Sequence, residues 1–212
     1  MEDPIDTLEH FVKMHPCSST DDIEKVALSH HLPWLQSFVK YALLKAEAKR
    51  GAIWLYGAPN SGKTTLLKMV SEIFYTIPYT QTRGKFDVKY GQGKNAPQFI
   101  CVDEGALDTF FQSKRDRGDA KLIFEGNGYI KEEKYRTPKK IWENLPLLLT
   151  SNSLPFILSP AAKAAPEQVD REDHAAFMAR IKMHQLSKSF KNTDTFPYSV
   201  VEMAHMIHKM VP

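Results

Sequence analysis

AIWLYGAPNSGKTTLLKMV, Ala52 to Val70, is the stretch whose reading decides the fold. Its opening, AIWLY, is a short apolar run ending at a glycine, the pattern of a strand buried on both faces. GAPNSGKTT, Gly57 to Thr65, then fits GxxxxGK[ST] through Gly57, Gly62, Lys63 and Thr64. KTTLLKMVSEIF follows, with Leu66, Leu67, Val70 and Phe74 at helical spacing. A loop between strand and helix aims backbone N–H groups at one concave point, and the helix N-terminus adds partial positive charge. The residues expected to cradle phosphates are therefore Gly57, Ala58, Pro59, Asn60, Ser61, Gly62, Lys63, Thr64 and Thr65. Gly62 permits close approach, Lys63 reaches the β and γ phosphates, and the Thr64 hydroxyl can ligate magnesium. A bare glycine turn would match this pattern in about one random chain of this length in a hundred. The strand before it and the helix after it supply the context a nucleotide site needs.

Further along, FICVDE sets Asp103 and Glu104 directly after an apolar strand. In a parallel sheet the C-terminal strand ends border the ligand crevice. An aspartate there can hold magnesium through water, and the next glutamate can polarise a water attacking the γ-phosphate. The plainer alternative is a solvated strand end. LPLLLTSN closes a third apolar run with Thr150, Ser151 and Asn152. A neutral amide at Asn152 can orient water beside the γ-phosphate, or simply cap the next loop. A GTPase would want a guanine-reading NKxD, which the chain lacks. Strand–helix alternation predicts an α/β fold with a mostly parallel sheet covered by helices.

The remaining composition excludes several classes. The chain has 212 residues, 42% hydrophobic and 25% charged, which suits one globular domain with a small appendage. No apolar run is long enough for a membrane span. The acidic start, MEDPIDTLEH, lacks the pattern of a signal peptide, so secretion is not expected. Cys17 and Cys101 lie far apart, which argues against a disulfide framework or a cysteine-based zinc site. Residues 1–50 read as helical, with Leu35, Phe38, Val39, Ala42 and Leu43 on one face. SPAAKAAPEQVDRED, Ser159 to Asp173, reads as a loop leading to a helix, and SVVEMAHMIHKM as a terminal amphipathic helix. His205 and His208 lie one turn apart there, without acid or cysteine partners, and read as a solvated face. Net charge is only +3, so basic residues matter by where they cluster. They cluster in YIKEEKYRTPKK, Tyr129 to Lys140, with five Lys or Arg against two Glu.

Taken in order, the phosphate loop, the Asp–Glu strand, the basic segment after LIFEG and the strand ending in Asn152 resemble the superfamily 3 helicases of small DNA viruses. These include parvovirus replication proteins, polyomavirus large T antigens, papillomavirus replication helicases and circular single-stranded DNA virus Rep proteins. The resemblance covers roughly residues 50–190. It implies a P-loop NTPase of the AAA+ type, using ATP and Mg2+ and assembled as a hexameric ring around single-stranded or forked DNA. The division it implies is an N-terminal helical oligomerisation segment, 1–50, and an ATPase domain, 51–212. By motif, Gly57 to Thr64 match the A motif, Asp103 and Glu104 the B motif, and Asn152 the C motif. KLIFEGNGYIKEEKYRTPKKI, Lys121 to Ile141, matches the segment that forms a β-hairpin reaching into the ring channel. On that pattern Lys134 and Arg136 contact DNA phosphates and Tyr135 stacks on a base. Pro138 then belongs at an edge or beyond the turn. Arg180, after AAFMA, is similar to the arginine finger that enters a neighbouring subunit's ATP site. The alternative is an arginine paired with Asp170 or Glu172.

YALLK, Tyr41 to Lys45, has the spacing of a nicking-domain tyrosine–lysine helix, but no His-hydrophobic-His precedes it, so Tyr41 reads as a core or collar residue. The resemblance implies a host-nuclear protein if the source is a eukaryotic DNA virus, and a cytoplasmic one otherwise. Two other functions fit parts of the pattern: a nucleotide or small-molecule kinase, and an ATP-regulated nucleic-acid packaging or binding module. A kinase would want an arginine-rich lid and an acceptor pocket in place of the Asp103–Glu104 pair.

Overall fold

A computed structural model describes residues 3–18, 31–46, 51–79, 97–103, 111, 113–131, 139–143, 145–190 and 196–212. Helix α1 spans Pro4–Met14, and α2 spans Leu32–Ser37 and widens into a π-helical turn over Phe38–Leu43. Strand β1 is Ala52–Gly57, α3 is Lys63–Ile73, β2 is Thr76–Tyr79 and β3 is Phe99–Val102. Helix α4, Lys114–Phe124, leads into β4, Asn127–Lys131, and β5, Lys139–Glu143. Then come β6, Leu147–Ser151, the short α5, Pro160–Lys163, α6, Gln168–Met178, β7, Ile181–Leu186, and α7, Val200–Met210.

Five strands pair in the order β2-β3-β6-β1-β7, every pair parallel. This is the α/β fold expected from strand–helix alternation. β6 lies between β1 and β3, with Trp54 level with Leu149 and Leu149 level with Val102. All strand ends therefore reach the same edge, which is where the phosphate loop, Asp103 and Asn152 lie. β4 and β5 form a separate antiparallel pair.

The sheet is buried on both faces, and the apolar runs show why. In β1, Ile53 and Leu55 join a cluster with Leu8, Trp34, Phe38, Leu66, Val70, Phe99, Met203 and Ile207. Ala52 and Trp54 point the other way, into a cluster with Ile100, Val102, Phe124, Leu147, Leu149 and Phe177. Successive side chains alternate between faces, so a strand covered on both sides must be apolar throughout. Leu35, Phe38, Val39, Ala42 and Leu43 are all buried, as their helical spacing predicts, and so is Tyr41. Phe38, Phe74 and Phe99 meet ring to ring at 5.2–5.8 Å. Each such pair is worth about 0.5–1.5 kcal/mol beyond area burial, and here they tie α2 to the sheet.

Two boundaries depart from expectation. Lys121 to Phe124 belong to α4, so the antiparallel hairpin starts only at Asn127. The Pro- and Ala-rich segment holds one helical turn, α5, because Pro160 sits at its first position and alanine favours helix. In the tail, Ser199 and Glu202 close a capping box, which starts α7 where the apolar periodicity begins.

Candidate functional site

Two glycines shape the loop that leaves β1. Gly57 has φ +135, and a Cβ there would lie 2.2 Å from the Leu186 carbonyl oxygen of β7. Gly62 has φ +88, and its Cβ would lie 2.5 Å from the Phe196 ring. Only glycine takes these conformations without strain at such close approach. Asn60, at φ 59, occupies the left-handed region that asparagine tolerates. The loop is also held from behind. The Phe190 N–H donates to the Asn60 carbonyl at 2.8 Å, and the Ser189 hydroxyl donates to the Pro59 carbonyl at 2.9 Å.

Inside the loop the Lys63 ammonium meets four oxygen acceptors. Its Nζ is 3.0 Å from the Gly57 carbonyl, 2.8 Å from the Ala58 carbonyl, 3.2 Å from Ser61 Oγ and 3.1 Å from Asn152 Oδ1. Lys63 is buried, whereas Asn152 is exposed at the end of β6. At the next residue, Thr64 Oγ1 lies 3.3 and 3.2 Å from the two Asp103 carboxylate oxygens. The Thr150 hydroxyl also donates to Asp103 Oδ1. Because β6 lies between β1 and β3, its end supplies both Thr150 to the aspartate and Asn152 to the lysine. Trp54 Nε1 donates to Ser151 Oγ at 2.8 Å, which pins that strand end from the neighbouring strand. Pro59 to Thr65 and Asn152 line a polar cleft of about 300 Å³. That volume is at the lower end of ordinary small-ligand sites.

The donor set fits a magnesium nucleotide. Thr64 and Asp103 present hard oxygen donors side by side, and Mg2+ takes one or two protein oxygens with phosphate and water for the rest. Among the described residues no group of three or more His, Cys, Asp or Glu could form an all-protein metal cage. The loop supplies the N–H donors of a helix start, and Lys63 supplies the charge. Cys101, two residues before Asp103, does not take part in this chemistry. Burial pushes its thiol up to about 12, with the Asp103 charge adding, so it stays neutral packing.

The structure thus brings together Lys63 and Thr64, Asp103 and Asn152 from three separate segments. Glu104, Lys134, Tyr135 and Arg136 lie outside the described residues. The strands on either side of those three basic-segment residues do pair as an antiparallel hairpin. Arg180 stands apart from the loop. It precedes Ile181, which is level with Ala52 at the start of β1, so a strand length of about 17 Å separates it from the loop edge. Its partner is neither Asp170 nor Glu172. Its guanidinium pairs with Glu125 at the end of α4 and donates to the Ala176 carbonyl at 2.6 Å. His205 Nε2 lies 2.8 Å from the His15 carbonyl oxygen, a packing contact between α7 and the end of α1.

Sequence reasoning places Thr150 only at a strand end and passes over Ser189 and Phe190. The polar residues that end the apolar run in LPLLLTSN are the one signal for Thr150. SKSF carries no periodicity that would mark Ser189 or Phe190 as loop supports.

No protein-family model and no curated protein matches this chain. Among solved structures, an X-ray structure of JCV helicase is similar at 12% identity with a TM-score of 0.42. The match covers 88% of this chain and 53% of that one, so the chain spans about half the helicase's length. Among the described residues no helix is long and apolar enough to cross a membrane.

Proposed function

We propose that this chain is an ATP-hydrolysing motor that acts on DNA, a helicase of the superfamily 3, AAA+ type working as a ring of identical subunits. The observation that carries the reading is the convergence of Lys63, Thr64, Asp103 and Asn152 at one edge of a parallel sheet, around a glycine-framed loop. In this reading the loop N–H groups and Lys63 bind the β and γ phosphates, and Thr64 and Asp103 hold Mg2+, which neutralises developing charge. The Thr150 hydroxyl keeps the Asp103 carboxylate turned toward the metal position. Asn152 orients the attacking water that Glu104 polarises. Arg180 serves a neighbouring copy's site, in keeping with its place at the opposite edge of its own sheet.

Assignment of DNA as the track rests on the motif resemblance and on the β4–β5 hairpin inserted between the Asp103 and Asn152 strands. Lys134 and Arg136 grip phosphates without reading bases, as movement along any sequence requires. Phosphate release from ATP, measured with and without single-stranded DNA, tests the reading. DNA should raise the rate several-fold. A rate unchanged by DNA, or ATP consumed only when a small acceptor is added, would overturn it.

A further inference from the structure

The Glu125 carboxylate has two partners that face different tasks. Its Oε1 pairs with the Arg180 guanidinium, and its Oε2 accepts from Asn127 Nδ2 at 3.1 Å. Asn127 is the first residue of β4, the root of the hairpin. Gly126 and Gly128 flank it with φ +79 and +63, left-handed backbone that glycine takes without strain. Behind it, α4 is clamped to α6 by Asp173, which pairs with Arg117 at 2.8 Å and with Lys121. The body of α4 is therefore anchored, while its last carboxylate bridges a candidate finger and a candidate DNA element.

The Arg180 side of this bridge is incomplete. Its Nε is buried with no hydrogen-bond partner among the described residues, although a guanidinium offers five donors. A triphosphate oxygen and a glutamate compete for the same planar fork, and phosphate recognition favours arginine strongly. An arginine that engages a neighbour's nucleotide must therefore leave Glu125. The freed carboxylate then changes what it asks of Asn127.

We infer that Glu125 is a positioning residue that couples Arg180 to the hairpin root, so that engagement of ATP by the arginine and engagement of DNA by the hairpin bias one another. The inference rests on the helicase reading above. Coupling between two sites is reciprocal, so DNA on the hairpin should loosen Arg180 as much as nucleotide loosens the hairpin. With Glu125 holding Arg180 back when DNA is absent, the chain suppresses idle hydrolysis.

The test uses the full chain and compares hydrolysis rates with and without single-stranded DNA in wild type, Glu125→Gln and Asn127→Ala. Asn127 is exposed, so its truncation leaves the fold intact even if Glu125→Gln lowers the melting temperature. Expected is a rise in the DNA-free rate of Glu125→Gln and a DNA stimulation ratio at least threefold smaller in both variants. A purely structural contact would lower both rates together and leave the ratio alone. Stimulation of wild type with an unchanged ratio in both variants overturns the coupling and leaves the helicase reading standing. Absence of stimulation in wild type overturns both.

Discussion

Replacing Asn152 with aspartate changes one charge at the site and almost no shape. The new carboxylate would sit about 3 Å from the Lys63 ammonium, where the amide oxygen now lies at 3.1 Å. At that separation a unit charge pair is worth about 1 kcal/mol in bulk water and about 5 kcal/mol at an effective dielectric near 20. Lys63 is buried but Asn152 is exposed, so screening keeps the value toward the low end, about 2 kcal/mol. ATP must then displace a tethered anion from its own lysine, which weakens binding about 30-fold. Repulsion between the new carboxylate and the γ-phosphate adds to this, so ATP should suffer more than ADP. Asn152→Ala is the matching control. It removes a neutral acceptor, and Lys63 keeps the Gly57 and Ala58 carbonyls and Ser61, so affinity should change less than about threefold. Titration calorimetry with ATP and ADP at two salt concentrations reads both variants. If Asn152→Asp binds ATP within threefold of wild type, Asn152 does not neighbour the phosphate site and the assembly of the cleft is wrong.

Three other outcomes follow from separate parts of the molecule. Gly57→Ala forces a Cβ to within 2.2 Å of the Leu186 carbonyl at φ +135, and backbone cannot step aside as a flexible side chain can. The loss should be about 3 kcal/mol in urea unfolding, combining left-handed strain with overpacking, and an unchanged midpoint would refute the close β1–β7 approach. His184 has its pKa lowered from 6.5 to about 4 by burial, with the Lys182 charge adding, and its Nε2 meets Ser37 Oγ at 2.9 Å. The unfolded chain takes this proton near 6.5 while the folded chain refuses it until about 4, so stability falls as pH drops through that window. His184→Gln should shrink the difference in unfolding midpoint between pH 7 and pH 5, and an undiminished difference would refute the assignment. Lys134→Ala should weaken single-stranded DNA binding and lower the slope of log affinity against log salt by about one. An unchanged slope would remove Lys134 from the DNA contacts.

The parts legible in the sequence are those whose causes are local. AIWLY, GAPNSGKTT and the helical spacing after Lys63 each encode their own element, so strand, loop and helix follow from a few neighbouring residues. The polar ends of FICVDE and LPLLLTSN mark strand termini for the same reason, because the apolar run stops where the sheet stops being covered. Strand order is different. Nothing in Leu147 to Ser151 says that it pairs between β1 and β3, yet that placement is what brings Thr150 to Asp103 and Asn152 to Lys63. The Arg180 partner illustrates the same limit. Asp170 and Glu172 are near in sequence, but a helix end turns Arg180 toward α4, and Glu125 is set there by how α4 and α6 pack around Asp173. Ser189 and Phe190 support the loop through contacts made only once β7 has joined the sheet.

Unwinding of a forked DNA duplex tests the central claim most directly. The full chain is incubated with a labelled fork and Mg2+ plus ATP, or plus a non-hydrolysable analogue, with Lys63→Ala run in parallel. The account predicts strand separation by wild type with ATP alone, and none with the analogue or with Lys63→Ala, whose loop has lost the charge at its centre. Separation that proceeds equally with the analogue, or that survives Lys63→Ala, would contradict a motor driven at this loop.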